Sequence, residues 1–397
     1  MMNRKERLLL LLLACINFTH ILDFMVMMPL GNYLMPKFNI DAQKFSNIVA
    51  SYNYAAFVTG IVAAFVVDRY DRKKVLVFGY SGFLIGTLLC AFASSYHLLI
   101  GARIVAGLFG GLVGAQVLSI VADSFSYEKR GMAMGFLMTA FSMASVLGVP
   151  LGLYMANLFS WHAPFYFIVG LGVIILPAVI RYVPSMTGHL QWDKPKGIAI
   201  RQTLKNVFGI PAQRAGLLLN AGLMLGHFCI IPFINPYMEF NVGISRNHAP
   251  LIYMIGGALT LFSAVIWGKL SDKYGKLNIF TICAVLSLIP IWFITNMPPI
   301  ILPYVLVATG TWFVFANGRT ISAQAMVSNV VPPEHRGSYM SFNSSIQQLF
   351  TGMASNIAGL IIVSGTDHKL YHYDTVGYLS IGVIATCALL ARRLGVK

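Results

Sequence analysis

The sequence predicts an all-α membrane protein of twelve transmembrane helices, arranged as two related, pseudo-symmetric six-helix bundles. Three observations lead to this prediction. The chain is 57% hydrophobic and only 10% charged, apolar stretches long enough to cross a bilayer recur along it, and one short charged loop occurs twice. A soluble domain would carry about 25% charged residues. We therefore expect the chain to lie in a lipid bilayer.

Each apolar stretch is interpreted as a helix, because a spanning helix needs about 20 apolar residues and the stretches are too long for barrel strands. The first stretch is too long for a signal peptide and lacks a small-residue cleavage site, so we interpret it as the first span. The twelve stretches are approximately residues 7–35, 46–68, 74–94, 97–123, 131–158, 164–183, 214–238, 250–271, 277–296, 300–327, 336–363 and 374–392.

The net charge of +15 is distributed unevenly between the two sides of the predicted membrane protein. Of the 28 Lys and Arg residues, 22 lie on the side of the termini and even-numbered loops. Four lie on the other side (Lys37, Lys44, Arg246, Lys369), and two lie inside spans (Arg103, Arg319). This asymmetry predicts that both termini are cytoplasmic, in what we expect to be a bacterial inner membrane. The charge thus reflects topology, and no nucleic-acid partner is expected.

The charged loop is repeated at an interval of about half the chain. Asp68-Arg69-Tyr70-Asp71-Arg72-Lys73 and Asp272-Lys273-Tyr274-Gly275-Lys276 begin 204 residues apart, and Pro29 and Asn32 recur as Pro232 and Asn235 at an interval of 203. Transporters are often built from such repeats around a site near the membrane midplane. We predict bundles at 1–183 and 214–397, joined by a cytoplasmic linker, 184–213. Residues 198–208 of the linker form either a surface helix or part of a plain tether.

Enzyme and cofactor chemistry find little support in the sequence. The five cysteines fall inside predicted spans with no CxxC pair, so neither a disulfide framework nor a metal site is expected. No P-loop, HExxH or GxSxG motif is present, and a single acidic residue inside the spans is too few for an aspartyl dyad. We expect no cofactor and no catalytic residues. A receptor or scaffold that transports nothing is an alternative.

The charged loops resemble those of the major facilitator superfamily, and the resemblance extends over essentially the full chain. The family's loop between spans two and three reads Gly-x-x-x-Asp-Arg/Lys-x-Gly-Arg/Lys-Arg/Lys. The second copy here matches it at Gly268, Asp272, Lys273, Gly275 and Lys276. The first copy keeps Asp68, Arg69, Arg72 and Lys73 but has Ala64 and Asp71 at the two glycine positions.

The resemblance implies the major facilitator fold and a cytoplasmic gate at these loops. By this analogy Asp68 lies near the start of span eleven, where the helix dipole favours a carboxylate. Asp123 is implied to pair with Arg69 or Arg72. Because Asp71 replaces the glycine of the family's loop, the sequence does not decide the local backbone turn, although the fold is unaffected. A basic loop that only sets the topology is the alternative.

Span five carries Gly148-Val149-Pro150-Leu151-Gly152, which resembles the antiporter motif of the drug:proton antiporter and arabinose-efflux-like branch. The resemblance implies a secondary active transporter that exports a small organic compound (drug-like molecule, sugar or metabolite) by proton-coupled alternating access. Proton-coupled uptake of a sugar, amino acid or siderophore is the alternative. The glycines also suit simple tight packing of helices.

Asp23 is the only acidic residue well inside a predicted span. A carboxylate there costs about 2.5–3.5 kcal/mol on insertion scales, so a partner is expected, and Arg103 on span four is the natural one. Burial favours the neutral form of a carboxyl group, and a nearby arginine favours its charged form. A carboxyl group that is exposed alternately to the two sides of the membrane can therefore bind a proton on one side and release it on the other. We predict that Asp23, Arg103 and His20 couple transport to protons. A structural ion pair and a packing histidine are the alternatives.

Polar residues on spans one, two, four, seven, ten and eleven predict a mixed chamber for an amphipathic solute, although some of them must join helices instead. Arg319 either meets an anionic solute, contacts the cytoplasmic gate or snorkels to the inner face. The expected partners are lipid, the solute and protons, and the chain is expected to be a monomer. The predicted cavity residues are Asn32, Tyr52, Asn53, Gln116, His227, Asn235, Asn317, Arg319, Asn343 and Gln347.

Overall fold

Long apolar helices make up almost all of the described chain. The computed structural model describes residues 3–125, 127–187, 209–331 and 336–394. The first half contains α1 (Arg4–Met27), α2 (Gly31–Phe38), α3 (Ala42–Val66), α4 (Arg72–Phe92), α5 (Tyr96–Ser124), α6 (Tyr127–Met143), α7 (Val149–Leu158) and α8 (Ala163–Tyr182). The second half contains α9 (Pro211–Phe228), α10 (Ile231–Phe240), α11 (Ala249–Tyr274), α12 (Lys276–Thr295), α13 (Leu302–Asn329), α14 (Arg336–Ile361), the antiparallel hairpin β1 (Val363–Ser364) and β2 (Leu370–Tyr371), and α15 (Tyr373–Ala391).

The helices suit a membrane in both length and composition. Among the described residues, nine helical segments are long and apolar enough to cross a bilayer. Large apolar side chains such as Phe78, Ile174 and Phe262 are exposed on the protein surface, which is where lipid would cover them. The predicted all-helical membrane fold is thereby confirmed, whereas the count of twelve spans stays a prediction.

The chain divides into two compact units with the same internal packing. The first comprises Met1–Met27 and Ser51–Lys194, and the second comprises Met28–Ala50 and Pro195–Lys397. In the first unit α4 packs on α5 and α8, while α1 packs on α5, α6 and α8. In the second unit α12 packs on α13 and α15, while α9 packs on α13, α14 and α15. This repeated pattern supports internal duplication. The sequence-based bundle boundaries remain a prediction, and most of the linker lies outside the described residues.

The first and seventh predicted spans are each broken near a repeated proline. The break between α1 and α2 contains Pro29, and α10 begins one residue before Pro232. A proline lacks the backbone N–H and fits the first turn of a helix, where no donor is needed. Both spans are therefore discontinuous helices, and Asn32 and Asn235 lie on their second pieces.

The fifth predicted span contains a wide turn just before its proline. Residues Ala144–Gly148 form a π-helical segment, in which the Val149 N–H bonds to the Ala144 carbonyl five residues earlier. Pro150 has no N–H to return to the regular helical pattern, and π-turns are a common cause of irregularity in helices. The motif in this span therefore shapes the backbone.

The glycines of the same motif bring this span close to α1. A Cβ atom on Gly148 would lie 2.7 Å from Leu22 Cδ1, and one on Gly152 would lie 2.8 Å from Val26 Cγ2. Leu22 and Val26 flank Asp23 on α1, so the two glycines set the position of the helix that carries this carboxylate.

The two copies of the charged loop have different backbone conformations at matching positions, Asp71 and Gly275. Gly275, just before α12, has φ 92° and ψ 139°, a conformation that is essentially restricted to glycine. Asp71, just before α4, has φ −55° and ψ 124°, which any residue adopts. The first copy therefore needs no glycine at this position, and Asp71 is the N-cap of α4, accepting a hydrogen bond from Lys73 N.

Candidate functional site

A buried ion pair lies in the interior of the first unit. Arg103 Nη1 on α5 donates to Asp23 Oδ2 on α1 at 2.7 Å, and the side chains are 1% and 0% exposed. Thr87 Oγ1 on α4 donates to the other carboxylate oxygen at 3.1 Å. The sequence analysis predicted the pair but not Thr87. The carboxylate is thus held from two helices at once.

The guanidinium of Arg103 also contacts an aromatic face. Its Cζ atom lies 4.4 Å from the centroid of the Tyr52 ring on α3, a cation–π distance. Its Nε has no hydrogen-bond partner among the described residues, and neither does the buried Tyr52 hydroxyl. The guanidinium therefore keeps one donor without a hydrogen bond among the described residues, a condition that native proteins show at functional sites and where ordered water or an ion binds.

His20 lies one helical turn before Asp23 on α1. Its ring centroid is 6.4 Å from that of Tyr52 and 5.8 Å from that of Phe83. Gly110 on α5 leaves room for it, since a Cβ there would lie 3.2 Å from His20 Cδ2. Both ring nitrogens are buried, and neither has a partner within the described chain. An imidazole with two unused nitrogens can accept and pass a proton.

Two more predicted residues of the first unit lie on the neighbouring helices. Asn53 follows Tyr52 on α3 and is fully buried. Gln116 on α5 is 1% exposed, and its Oε1 has no donor among the described residues. Buried polar side chains of this kind are rare unless they serve a ligand or a network.

Several predicted cavity residues of the second unit join helices. Asn220 Nδ2 on α9 donates to Asn343 Oδ1 on α14 at 2.8 Å. Asn317 Nδ2 on α13 donates to Thr260 O at 3.0 Å on α11. Such bonds between helices act as polar glue. Gln347, by contrast, has an Nε2 atom with no partner in the described part of the chain.

Arg319 is the second buried arginine. Its Nη1 donates to Ser287 Oγ on α12 at 3.0 Å, and its Nη2 lies 3.3 Å from His227 Nδ1 on α9. The His227 ring stacks on Trp312, with centroids 4.8 Å apart and an interplanar angle of 24°. The side chain of Arg319 is 1% exposed, so in this structure it does not snorkel to the surface.

Asn32 and Asn235, the repeated asparagines, meet in the second unit. Asn235 Nδ2 donates to Asn32 Oδ1 at 3.2 Å and to the Pro29 carbonyl at 2.6 Å. Asn32 Nδ2 in turn donates to Glu239 on α10. A segment from the first half of the sequence is thereby hydrogen-bonded to a helix from the second half.

An arginine completes this network. Arg246 Nη2 and Nε donate to Glu239 Oε1 at 2.6 and 2.9 Å, and Nη2 also donates to the Asn32 carbonyl at 3.3 Å. The Arg246 guanidinium lies over the Tyr33 ring at 4.5 Å. We call Asn32, Asn235, Glu239 and Arg246 the Glu239 cluster. A forked arginine–carboxylate pair of this kind is geometrically specific as well as strong.

The loop after α3 contains a second arginine–aspartate pair. Arg72 Nε donates to Asp123 Oδ2 at 3.1 Å, so Arg72, of the two candidates, pairs with Asp123. Arg69 is exposed, and the side chain of Asp68 lies outside the described atoms. In the second copy, Asp272 and Lys273 are exposed, and a Cβ on Gly268 would meet nothing within 4 Å.

Asp71 holds the segment that follows α8. Its carboxylate accepts hydrogen bonds from Ser185 Oγ at 2.5 Å and from Met186 N at 2.8 Å, and Arg72 N donates to the Met186 carbonyl at 3.3 Å. Burial raises the pKa of Asp71, but these bonds and the positive charge of Lys74 outweigh it, so the pKa lies below its usual value of 3.8. The start of the linker is thus tied to the charged loop.

Asp71→Ala is expected to remove the hydrogen bonds to Ser185 and Met186 and so to make Met186 more exposed. The lost cap and charged hydrogen bonds contribute about 1–2 kcal/mol. A depressed pKa means that the stabilisation is present above the unfolded pKa and lost as the pH falls through the folded pKa, so the effect should vanish in strong acid. Maleimide labelling of Met186→Cys should be faster in the Asp71→Ala background at pH 7. Labelling rates at pH 7 that are equal with and without the Asp71→Ala change would contradict the tie.

Several residues of these sites were not predicted from the sequence. Thr87 and Ser287 lie on the mostly apolar spans three and nine, and the only signal in the sequence was a hydroxyl among apolar residues. Glu239 lies at the end of a span, close to Arg246, one of the few basic residues on that side. Asp71 directly precedes a helix, a position where aspartate is a favoured N-cap.

Comparisons with known proteins identify the relatives of this chain. The model of the Major Facilitator Superfamily matches residues 13–223 and 216–396. "Multidrug resistance protein 3" of Bacillus subtilis (strain 168) is 36% identical over 146 residues, 37% of this chain and 28% of that protein. AraJ of Escherichia coli (strain K12) is 27% identical over 260 residues, 63% of each chain.

A solved structure has the same fold. The inward-facing, unoccupied bacterial homologue of the human lysosomal transporter Spinster matches with a TM-score of 0.79 at 15% identity. The match covers 99% of this chain and 98% of that one. At this identity the likeness concerns the fold alone, and it agrees with the architecture expected from the sequence.

Proposed function

Because the chain belongs to the Major Facilitator Superfamily, we propose that it exports a small organic compound in exchange for protons. It is an integral multi-pass membrane protein of a transporter family, and members of this family are not enzymes. Export, proton coupling and the nature of the solute are the proposal. The observation that carries it is the buried pair of Asp23 and Arg103.

The pair suits proton coupling because its two protonation states differ greatly in energy. When Asp23 is charged, the bond to Arg103 offsets the cost of burying both groups. When Asp23 takes up a proton, that attraction is lost and Arg103 is left without a counter-charge. A protein that alternates between two forms can use this difference to bind a proton on one side and release it on the other.

Neighbouring side chains have supporting roles in this proposal. Thr87 orients the carboxylate, and His20 relays the proton, since its ring nitrogens are unused among the described residues. Tyr52, Asn53 and Gln116 line the solute path beside the pair. Asn32, Asn235, Asn317, Asn343 and Gln347 were predicted to line it too, and the hydrogen bonds of the first four suit helix contacts as well.

The direction of transport is inferred from the fifth span. Its motif at Gly148, Pro150 and Gly152 resembles that of antiporters, and one relative is named a multidrug resistance protein. In the proposed orientation both termini are cytoplasmic in a bacterial inner membrane, and a monomer suffices. The loops at Asp68, Arg69, Arg72 and Asp123, and at Gly268, Asp272 and Lys273, form the cytoplasmic gate.

Asp23→Asn is expected to abolish proton exchange while the protein still folds, because asparagine keeps the size of the side chain but cannot titrate. A growth screen of an overexpressing strain against toxic compounds supplies a transported compound. In acidified everted vesicles, adding that compound should discharge the pH gradient with the wild type but not with Asp23→Asn.

Asp367→Asn is the matched control, since Asp367 is an exposed acid on the hairpin whose described ion pair is with Lys369. It should discharge the gradient as the wild type does. Equal discharge by the wild type and Asp23→Asn would reject the role of Asp23. Accumulation of the compound in right-side-out rather than everted vesicles would show uptake instead of export.

A further inference from the structure

In the first unit Asp23, Thr87 and Arg103 form a hydrogen-bonded group. The second unit has a similar group, formed by His227, Ser287 and Arg319, that contains no carboxylate. In the first unit, Arg103 on the fourth span contacts Asp23 on the first span. In the second unit, Arg319 on α13 contacts His227 on α9, and His227 lies 204 residues after Asp23. This is the interval that separates the two charged loops. In the second unit an imidazole therefore contacts the arginine, where the first unit has a carboxylate.

Arg319 consequently has no counter-charge within the described residues. Its two hydrogen-bond partners, Ser287 and His227, are uncharged polar side chains, and no described Asp or Glu contacts it. A guanidinium has five N–H donors, and two of them are used here. Burying a cation without an anion costs several kcal/mol. We therefore expect Arg319 to bind an anion in at least one functional state of the protein.

Two further donors lie on the same helical face as Arg319. Trp312 precedes it by seven residues and Ser322 follows it by three, spacings that keep side chains on one side of a helix. Both side chains are 0% exposed. The Trp312 Nε1 and the Ser322 Oγ have no partner in the described part of the chain. Three groups able to donate hydrogen bonds therefore share one face of α13 with no acidic acceptor among the described residues.

The ring of His227 lies against this face of α13. It is half-buried, stacks on Trp312 and lies beside the guanidinium. Because Arg319 donates to Nδ1, the neutral ring carries its hydrogen on Nε2, which makes it another donor. The half-buried ring of His227, which covers one face of Trp312, offers a flat surface next to the donors.

We propose that Arg319, Trp312 and His227 form a binding site for the anionic group of an aromatic solute, such as a carboxylate. The guanidinium binds the carboxylate oxygens, the Trp312 N–H adds a hydrogen bond, and the ring of His227 contacts the flat part of the solute. This inference rests on the proposed function, because it takes the bound molecule to be the transported one. It assigns a negatively charged substrate class.

Thermal stability of the purified full-length protein in detergent tests this site with defined probes. Benzoate and 2-naphthoate should raise the Tm of the wild type, since a ligand that binds only the folded state stabilises it. Their amides, benzamide and 2-naphthamide, match them in shape but carry no charge and should give no shift. Arg319→Gln should lose the carboxylate shift, Arg319→Lys should keep part of it, and Trp312→Phe should reduce it.

Arg181→Gln is the matched control, because Arg181 is an exposed arginine at the end of α8. It should keep the full shift. Equal shifts with carboxylates and amides, an absent shift in the wild type, or an unchanged shift in Arg319→Gln would each refute the site. A full Arg319-dependent shift with chloride alone would identify a site for inorganic anions and refute the solute assignment.

The binding assay needs no pH gradient, so the two proposals fail separately. Arg319-dependent carboxylate binding without proton exchange would leave the anion site standing and remove proton coupling. Proton exchange that depends on Asp23, together with no carboxylate binding, would leave proton coupling standing and refute the anion site.

Discussion

Replacing Arg103 by glutamine is expected to lower the free energy of unfolding by about 3–5 kcal/mol, because a buried carboxylate loses its counter-charge. Asp23 is fully buried and, within the described part of the chain, would keep only the hydrogen bond from Thr87. Unfolding of the detergent-purified protein in SDS, followed by tryptophan fluorescence, measures the change.

The double variant D23N/R103Q separates the lost pair from a general packing defect. It removes both charges and should recover most of the stability that R103Q loses, because replacing both members of a buried pair is often nearly neutral. R181Q, at an exposed position, should change stability by less than about 0.5 kcal/mol. A double variant that is as unstable as R103Q would show that the charge of Asp23 is not the cause.

Glu239→Gln is expected to loosen the join between residues 28–50 and the helices of the second unit. The Arg246 side chain is 39% exposed and that of Glu239 is 17% exposed. Solvent screening therefore reduces the effect to about 1 kcal/mol, or a roughly fivefold shift in population. Ser46 reports this change, because it is fully buried against Gly359. Maleimide should label Ser46→Cys several times faster when Glu239 is replaced.

Asp367→Asn again supplies the comparison. Its pair with Lys369 joins two residues that are 48% and 50% exposed, so its loss should leave the labelling rate of Ser46→Cys unchanged. If Glu239→Gln has no greater effect than this control, the Glu239 cluster does not hold the segment in place.

Much of the fold follows from hydrophobicity alone. Runs of about 20 apolar residues predict helices in lipid, and the repeat of Pro29 and Asn32 at Pro232 and Asn235 predicts that two spans share a feature. The kind of feature was not predictable, because a proline near the end of a span is compatible with a cap, a kink or a break. The structure has a break in both spans.

The residues of the candidate site were predictable where a charged side chain falls inside an apolar span. Asp23 and Arg103 are conspicuous because lipid excludes charges, whereas Thr87 is an ordinary residue in a spanning helix. Asp71 stands where the family has glycine, so the sequence did not decide the local turn. Its backbone lies in an ordinary region, and its side chain caps a helix and binds Met186. Such contacts between distant segments depend on packing, which no local pattern encodes.

Proton release during solute binding tests the central claim most directly. Purified protein in weak buffer, at a pH where transport is half-maximal, is mixed with the transported compound while a pH dye is followed. If the solute and the proton exchange at Asp23, wild-type protein should release protons on binding, and D23N should bind without releasing any. Proton release that is the same in both proteins, or is absent from the wild type, would contradict the account.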